Sequence, residues 1–208
     1  MNHKTAIVLD DHKLFGESFS VLLERYTQFE TVHTFHEPSG LIRLLKQNSR
    51  KTFYLFLDYY LQNNNGLTVL TDVKRINKLC KIIFVTGTSS WPVLHNIENH
   101  APEGIISKLT GLDVLLECIE QIEAGNLYRC PVFQEMKAND IAKKPILFTS
   151  RELEILKYIA SGLTIAETAE KTFLSRHTIV SHRRNMMTKA KVTSIGQLLI
   201  YVNEWNLI

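Results

Sequence analysis

The chain has 208 residues, of which 45% are hydrophobic and 22% are charged, and its formal net charge is +3. This composition is typical of a soluble globular protein that can build one large core or two small ones. No apolar run approaches the ~20 residues of a membrane span, and the N-terminus has no signal-peptide pattern. Three cysteines without metal-binding spacing indicate a reducing compartment. We therefore expect a cytoplasmic protein that does not enter a membrane.

Residues 1–125 alternate short apolar runs with helical patterns. Strand-like runs occur at 5–10, 31–35, 53–58, 81–87 and 104–108, and an amphipathic segment follows each of them. Five repeats of strand then helix predict a five-stranded parallel, doubly wound α/β domain. In such domains ligands bind beyond the carboxyl ends of the strands, so the residues at those ends are the first candidates for a site.

Residues 126–146 show no sustained period and contain two prolines. This composition favours a linker with room for one short helix.

From residue 147 the pattern is helical to the end of the chain. Thr149 with Glu152, and Thr164 with Glu167, have the spacing of helix-capping boxes, and Ser175 is placed to cap the next helix. The turn between the second and third helices is only a few residues long. The spacing predicts an all-α domain over 147–208 that contains a helix-turn-helix.

Polar side chains stand at the carboxyl ends of four predicted strands. Asp10 and Asp11 end the first strand, Asp58 the third, Thr86 the fourth and Lys108 the fifth. Three carboxylates at one edge of a sheet cannot all ionise without a cation, and Mg²⁺ prefers oxygen ligands of this kind. Carboxylates, a metal, a hydroxyl and an ammonium together can stabilise charge on a transferred phosphoryl group.

The stretch 1–125 resembles the receiver domain of two-component response regulators, which has a flavodoxin-like fold. The resemblance rests on the acid pair in VLDD, the aspartate in LFLD, the threonine in FVTGTS and the lysine in GIISK. It implies that Asp58 accepts a phosphoryl group from a sensor histidine kinase. It also implies that Mg²⁺ is held by Asp10, Asp11, Asp58 and the backbone carbonyl of Tyr60, and that Thr86 and Lys108 bind the phosphoryl oxygens.

Two positions differ from the usual receiver pattern and keep an alternative open. Ile105 stands where receivers usually carry an aromatic residue, and Leu109 follows the lysine where Pro or Asp is common. The alternative is a receiver that works without phosphorylation and only mediates protein contacts. An aspartyl-phosphate phosphatase is disfavoured, because Tyr60 occupies the position where those enzymes carry a second acid.

The positive charge of the chain lies in its C-terminal part, where positions 171–203 contain six Lys or Arg residues and no acidic residue. A basic block of this kind indicates a nucleic-acid contact, although a solvated helix face has the same charge pattern. The stretch 147–208 resembles the LuxR-type (NarL/FixJ) DNA-binding domain, on the motifs TSRE, SGL and LSRHTIVSH. The resemblance implies four helices, of which the third, from about Ser175 to Ala190, binds double-stranded promoter DNA.

Helical spacing divides the residues of this third helix between core and surface. Ile179 and Met186 are expected in the core, and His182 either there or against a phosphate. The basic residues are candidates for phosphate or guanine contacts, and those at the helix start lie where a phosphate can bind. The full set of candidate DNA-binding residues is Arg176, His177, Thr178, Ser181, Arg183, Arg184, Asn185 and Lys189.

Together the two resemblances imply a response regulator that is a transcription factor and not an enzyme, with DNA binding controlled through Asp58. The last predicted helix, at about 194–205, has an apolar stripe that fits either a homodimer contact or the core of its own domain. A homodimer would match paired DNA half-sites.

Overall fold

The structure is a computed structural model that describes residues 4–62, 64–88, 90–134, 146–205 and 207–208. Its strands are β1 (Thr5–Leu9), β2 (Thr31–Phe35), β3 (Phe53–Leu57), β4 (Tyr60–Leu61), β5 (Asn64–Asn65), β6 (Lys81–Thr86), β7 (Gly104–Ser107) and β8 (Tyr128–Arg129). Six of them form one sheet in the order β2-β1-β3-β6-β7-β8, and β4 pairs with β5 in a separate hairpin. Every pairing in the large sheet is parallel. The predicted parallel α/β fold class is confirmed.

The helices of the N-terminal part follow the strands as predicted. They are α1 (Lys13–Tyr26), α2 (Pro38–Gln47), α3 (Gly66–Ile76), α4 (Trp91–Asn99) and α5 (Leu112–Glu123). The central strands β1 and β3 are buried along their whole length. Burial on both faces explains why their sequences are continuous apolar runs and do not alternate.

The sheet has one strand more than the five predicted. β8 pairs with the edge of β7, in the register Gly104↔Tyr128 and Ile105↔Arg129. A two-residue strand is too short to show a period in the sequence. The composition of residues 126–146 therefore predicts a linker and does not reveal the strand. Residues 131–134 are helical, and residues 135–145 of that segment lie outside the described residues. The domain limits 1–125, 126–146 and 147–208 stay predictions.

The C-terminal part consists of four helices, as predicted. They are α6 (Ser150–Ala160), α7 (Ile165–Thr172), α8 (Arg176–Ala190) and α9 (Ile195–Glu204). Both predicted capping boxes, at Thr149 and at Thr164, are present, and the side chain of Ser175 accepts from the backbone N–H of Thr178. Short polar caps therefore fix where each helix of the helix-turn-helix begins.

The apolar stripe of α9 packs mainly within its own domain. Leu198 and Val202 are fully buried, whereas Ile200 is 59% exposed. The hydroxyl of Tyr201 accepts from the backbone N–H of Ile146 at 3.1 Å. A homodimer contact through this helix stays a prediction, and Ile200 is the part of the stripe that is still exposed to a partner.

The three cysteines are free and buried. Among the described residues no helix combines the length and the hydropathy needed to cross a membrane.

The two parts of the chain touch, because α6 lies against α3 and β5, and the hydroxyls of Thr71 and Ser150 are 3.1 Å apart.

Candidate functional site

The acidic residues of the site meet because β1 and β3 are neighbours in register. Leu9 pairs with Leu57, so the residues that follow, Asp10 and Asp58, leave the sheet side by side. The backbone N–H of Asp58 donates to the carbonyl of Leu9 at 3.0 Å. Asp10 is 2% exposed and Asp58 is 3% exposed. Two carboxylates are thus fixed next to each other in a buried position.

Lys108 provides the positive charge that this pair requires. Its Nζ lies 2.6 Å from Asp10 Oδ2 and 2.8 Å from Asp58 Oδ2, and 4.5 Å from the centre of the Phe15 ring. Burial on its own would lower the pKa of Lys108, but the hydrogen bonds to the two carboxylates outweigh burial and raise it. The ammonium therefore stays charged between the two acids.

Asp58 keeps one oxygen for a further partner. Burial raises the pKa of Asp58, although the hydrogen bond from Lys108 acts in the opposite direction. Within the part of the chain that the structure describes, Asp58 Oδ1 is buried and has no hydrogen-bond partner. A buried carboxylate oxygen without a partner is costly, unless a cation or another group binds there.

The donor set fits a metal ion. One ligand atom from each of Asp10, Asp11, His12 and Asp58 lies within 4.8 Å of the others. His12 was not predicted from the sequence, and its Nδ1 is 3.1 Å from Asp11 Oδ1 and 3.2 Å from Asp10 Oδ1. Its position directly after the acid pair is the one sequence feature that could have revealed it. The acidic cluster is consistent with a metal site built mainly from carboxylate oxygens.

Thr86 and Tyr60 lie at the same edge of the sheet. Thr86 ends β6, the strand between β3 and β7, is fully buried, and its carbonyl accepts from the backbone N–H of Lys108 at 2.9 Å. Tyr60 begins the hairpin that follows Asp58. Burial raises the pKa of the Tyr60 phenol, while its hydrogen bond with Thr88 acts against that rise. The side chain of Tyr60 thus turns toward the loop after β6.

A glycine holds this hairpin close to the site. A Cβ atom on Gly66 would lie 2.5 Å from the carbonyl oxygen of Asp58 and 2.8 Å from the ring of Phe84. The N–H of Gly66 donates to the carbonyl of Tyr59 at 2.9 Å, and Asn65 caps α3 by accepting from the N–H of Leu67. Asn65 and Gly66 therefore close a tight connection between the acidic edge and α3.

The third C-terminal helix, α8, presents most of the predicted DNA-binding residues to solvent. Ile179 and Met186 are fully buried, as expected, and His182 is half-buried. Thr178 and Arg183 are half-buried, and the hydroxyl of Thr178 lies 2.8 Å from that of Ser175. The exposed candidates are Arg176, His177, Ser181, Arg184, Asn185 and Lys189.

Lys189 differs from the other candidates because its charge is already paired. Its Nζ lies 2.8 Å from Glu152 Oε1 and 2.7 Å from Glu152 Oε2. The same carboxylate accepts from the N–H of Thr149 at 2.8 Å in the capping box of α6. Lys189 thus ties the end of α8 to the start of α6, and its contact with DNA stays a prediction.

Comparison with family models assigns both parts of the chain. Residues 6–120 match the model described as "Response regulator receiver domain". Residues 147–202 match the model described as "Bacterial regulatory proteins, luxR family".

Relatives match this chain over nearly their whole length at low identity. The chain is 25% identical to the Fimbriae Z protein of Escherichia coli (strain K12), with 100% of each chain covered. It is 23% identical to the response regulator protein VraR of Staphylococcus aureus, with 97% of each covered. Among solved structures, the RcsB response regulator of Salmonella typhimurium is similar with a TM-score of 0.69 and 23% identity, and 98% of each chain is covered. RcsB from Salmonella enterica serovar Typhimurium bound to promoter rprA with the phosphomimetic BeF3- is similar with a TM-score of 0.72 and 22% identity, over 97% and 99% of the two chains.

Proposed function

Because the chain belongs to the response regulators with a receiver domain and a LuxR-type helix-turn-helix output region, we propose that phosphorylation of Asp58 controls its binding to promoter DNA. The observation that carries the proposal is the environment of the Asp58 carboxylate. One oxygen is held by Lys108 at 2.8 Å, and the other is buried with no hydrogen-bond partner among the described residues. That second oxygen is the nucleophile that a phosphoryl donor would meet.

The residues around Asp58 have separate roles in the transfer. An Asp58 oxygen attacks the phosphorus atom of a phosphohistidine on a sensor kinase, an O–P bond forms, and the P–N bond of the donor breaks. Lys108 and the hydroxyl of Thr86 bind the phosphoryl oxygens and offset their charge. Lys108 now bridges Asp10 and Asp58, so it has to exchange one of these contacts for the incoming oxygen.

Asp10, Asp11, Asp58 and the backbone carbonyl of Tyr60 would hold Mg²⁺. When bound, the ion supplies positive charge that brings the acidic edge and the phosphoryl oxygens together. The cluster has the oxygen donors that such an ion prefers. We place the chemistry in the cytoplasm, where the free cysteines would stay reduced.

The output region would bind DNA through α8. The residues proposed to contact DNA are Arg176, His177, Thr178, Ser181, Arg183, Arg184 and Asn185, with Lys189 as a weaker contact because Glu152 already pairs its charge. Their support is the exposure of most of this helix and the absence of acidic residues between 171 and 203. Similar solved structures include two RcsB dimers bound to two parallel DNAs and an RcsB–DNA complex, and we propose that this chain also binds DNA as a homodimer.

A small phosphodonor tests the proposal directly. Wild type with Mg²⁺ and donor is expected to take up one phosphoryl group and to bind promoter DNA more tightly. Asp58→Asn should do neither, whereas Asp113→Asn, a change at an exposed residue of α5, should behave as wild type. The DNA titrations are made at one stated salt concentration, and a sample with EDTA should remain unlabelled.

The residue at position 105 favours a second function, and the same experiment distinguishes it from the first. Ile105 is aliphatic and 2% exposed, so an aromatic side chain that moves in response to phosphorylation is missing at that position. A receiver that only mediates protein contacts would bind DNA equally well with and without donor, and equally well as Asp58→Asn.

A further inference from the structure

The residue after Asp58 faces the C-terminal end of the chain. Tyr59 is fully buried, and its hydroxyl donates to the backbone carbonyl of Leu207 at 3.2 Å. Burial raises the pKa of the Tyr59 phenol, so the phenol remains a neutral donor. Leu207 is itself fully buried. A residue adjacent to the proposed phosphorylation site therefore holds the end of the output region.

A lysine of the output region holds the other end of the same short segment. Lys157, on α6, donates to the carbonyl of Gln62 at 3.0 Å and to that of Leu61 at 3.4 Å. Burial lowers the pKa of Lys157, and the negative charge of Asp11 acts in the opposite direction. The ammonium is thus near enough to the acidic cluster to be affected by its charge.

These two contacts bracket the backbone at Tyr60. Residues 59–62 run from the Tyr59 side chain to the Gln62 carbonyl, and the Tyr60 carbonyl, which we assign to the metal ion, lies between them. Ser90 adds a third contact by donating to the carbonyl of Trp205 at 2.9 Å. A change in the position of the Tyr60 carbonyl therefore has to act on contacts made by the output region.

We propose that Tyr59 and Lys157 are positioning residues that couple the Asp58 pocket to the output region through the backbone of residues 59–62. While both contacts are formed, they hold this segment and slow the uptake of a phosphoryl group. Formation of the phosphorylated site moves the segment and releases the output region. By thermodynamic reciprocity, release of the output region favours phosphorylation by the same factor.

This coupling route suits a chain without the usual aromatic residue at position 105. Ile105 lies in β7 and is buried beside Phe84, its partner in the sheet register. The Tyr59–Leu207 contact starts one residue from Asp58, so it does not depend on any motion at Ile105. The inference rests on the proposed function, because it assumes that Asp58 is phosphorylated and that Tyr60 contributes its carbonyl.

Three full-length variants test the coupling. Tyr59→Phe removes one hydroxyl, and Lys157→Gln removes the charge but keeps a polar side chain of similar length. Loss of one net hydrogen bond should shift the docking equilibrium about two- to tenfold. Both Tyr59→Phe and Lys157→Gln should therefore take up a phosphoryl group from a small donor with Mg²⁺ about two- to tenfold faster than wild type. Lys157→Arg, which keeps the donors, should retain the wild-type rate.

Matched controls separate coupling from general loss of stability. Tyr26→Phe and Lys46→Gln make the same chemical changes at exposed residues of the receiver, and both should show the wild-type rate. DNA affinity without donor should rise for Tyr59→Phe and Lys157→Gln by a similar factor as the rate. Thermal unfolding of each variant checks that the fold is retained.

The possible failures are distinguishable. If wild type takes up no phosphoryl group, the proposed function is wrong and the coupling is wrong with it. If wild type is labelled but Tyr59→Phe and Lys157→Gln react at the wild-type rate, the coupling alone is overturned. A rate increase that Lys157→Arg shares with Lys157→Gln would also overturn the role of the lysine donors.

Discussion

Replacement of Lys189 by glutamine should weaken the fold of the output region more than it weakens electrostatic binding to DNA. The ammonium of Lys189 is bound by both oxygens of Glu152, at 2.8 and 2.7 Å. A cation that is neutralised within the protein releases few counterions from DNA. Arg184, on the same helix, is exposed and is the matched residue for comparison.

The size of the effect follows from the exposure of the two partners. The side chain of Glu152 is 7% exposed and that of Lys189 is 40% exposed. Removal of Lys189 leaves the buried Glu152 carboxylate with only its helix-capping hydrogen bond. The loss of stability should therefore lie between that for breaking an exposed ion pair and that for breaking a buried one. We expect the free energy of unfolding to fall by about 1–3 kcal/mol. For Arg184→Gln we expect a change within about 0.5 kcal/mol.

The assay combines thermal unfolding with binding to a random-sequence DNA duplex between 50 and 200 mM salt. Each phosphate contact contributes about 0.9 to the slope of log affinity against log salt, which is about 3.5-fold over this range. Arg184→Gln should lower the slope by about 0.9, whereas Lys189→Gln should lower it by clearly less. The reasoning is refuted if Lys189→Gln lowers the slope as much as Arg184→Gln does and leaves the unfolding temperature unchanged.

Three further predictions concern backbone geometry and the pocket. Lys191 ends α8 with φ 52°, so Lys191→Gly should raise the free energy of unfolding by about 1 kcal/mol in a denaturant titration, and an unchanged midpoint would contradict this. Gly66→Ala should lower the free energy of unfolding by about 1–3 kcal/mol and slow the labelling of Asp58, because the new Cβ would lie 2.5 Å from the Asp58 carbonyl oxygen. The control Gly196→Ala, at a position with space for a Cβ, should not destabilise the protein. We expect Tyr60 to restrict the access of water to Asp58, so Tyr60→Ala should shorten the lifetime of the phosphorylated form, measured by loss of label, and an equal or longer lifetime would count against that role.

The architecture of the pocket could be predicted because it depends on a general property of parallel sheets. The carboxyl ends of parallel strands meet at one edge, so Asp10, Asp58, Thr86 and Lys108 could be grouped without coordinates. The contacts of Lys108 with both Asp10 and Asp58 agree with that grouping. The helix starts could also be predicted from the sequence, because Thr149, Thr164 and Ser175 cap residues only three positions away.

The contacts that were missed join residues from distant parts of the sequence. Helical spacing places Lys189 on the surface of α8, but it does not show that Glu152 of another helix faces it. Tyr59 follows a continuous apolar run, so no alternation reveals which way its side chain points. Its partner, the carbonyl of Leu207, lies 148 residues away, and a backbone carbonyl has no signature in the sequence. Nor does a two-residue strand such as β8 show a period.

The contacts between receiver and output region also limit how strongly phosphorylation can act. A net hydrogen bond contributes about 0.5–1.5 kcal/mol, and the two that bracket Tyr60 are those of Tyr59 with Leu207 and of Lys157 with Gln62. Loss of both would destabilise the docked state of the output region by about 1–3 kcal/mol. A shift of the docking equilibrium from 1:99 to 99:1 needs about 5.5 kcal/mol. We therefore expect donor to raise the DNA affinity of a single copy by about 5- to 150-fold. A larger change that persists in Tyr59→Phe/Lys157→Gln would come from the other contacts between the two parts, such as that of Ser90 with Trp205, or from association of two copies on DNA. Titration at several protein concentrations separates the two, because only association depends on protein concentration.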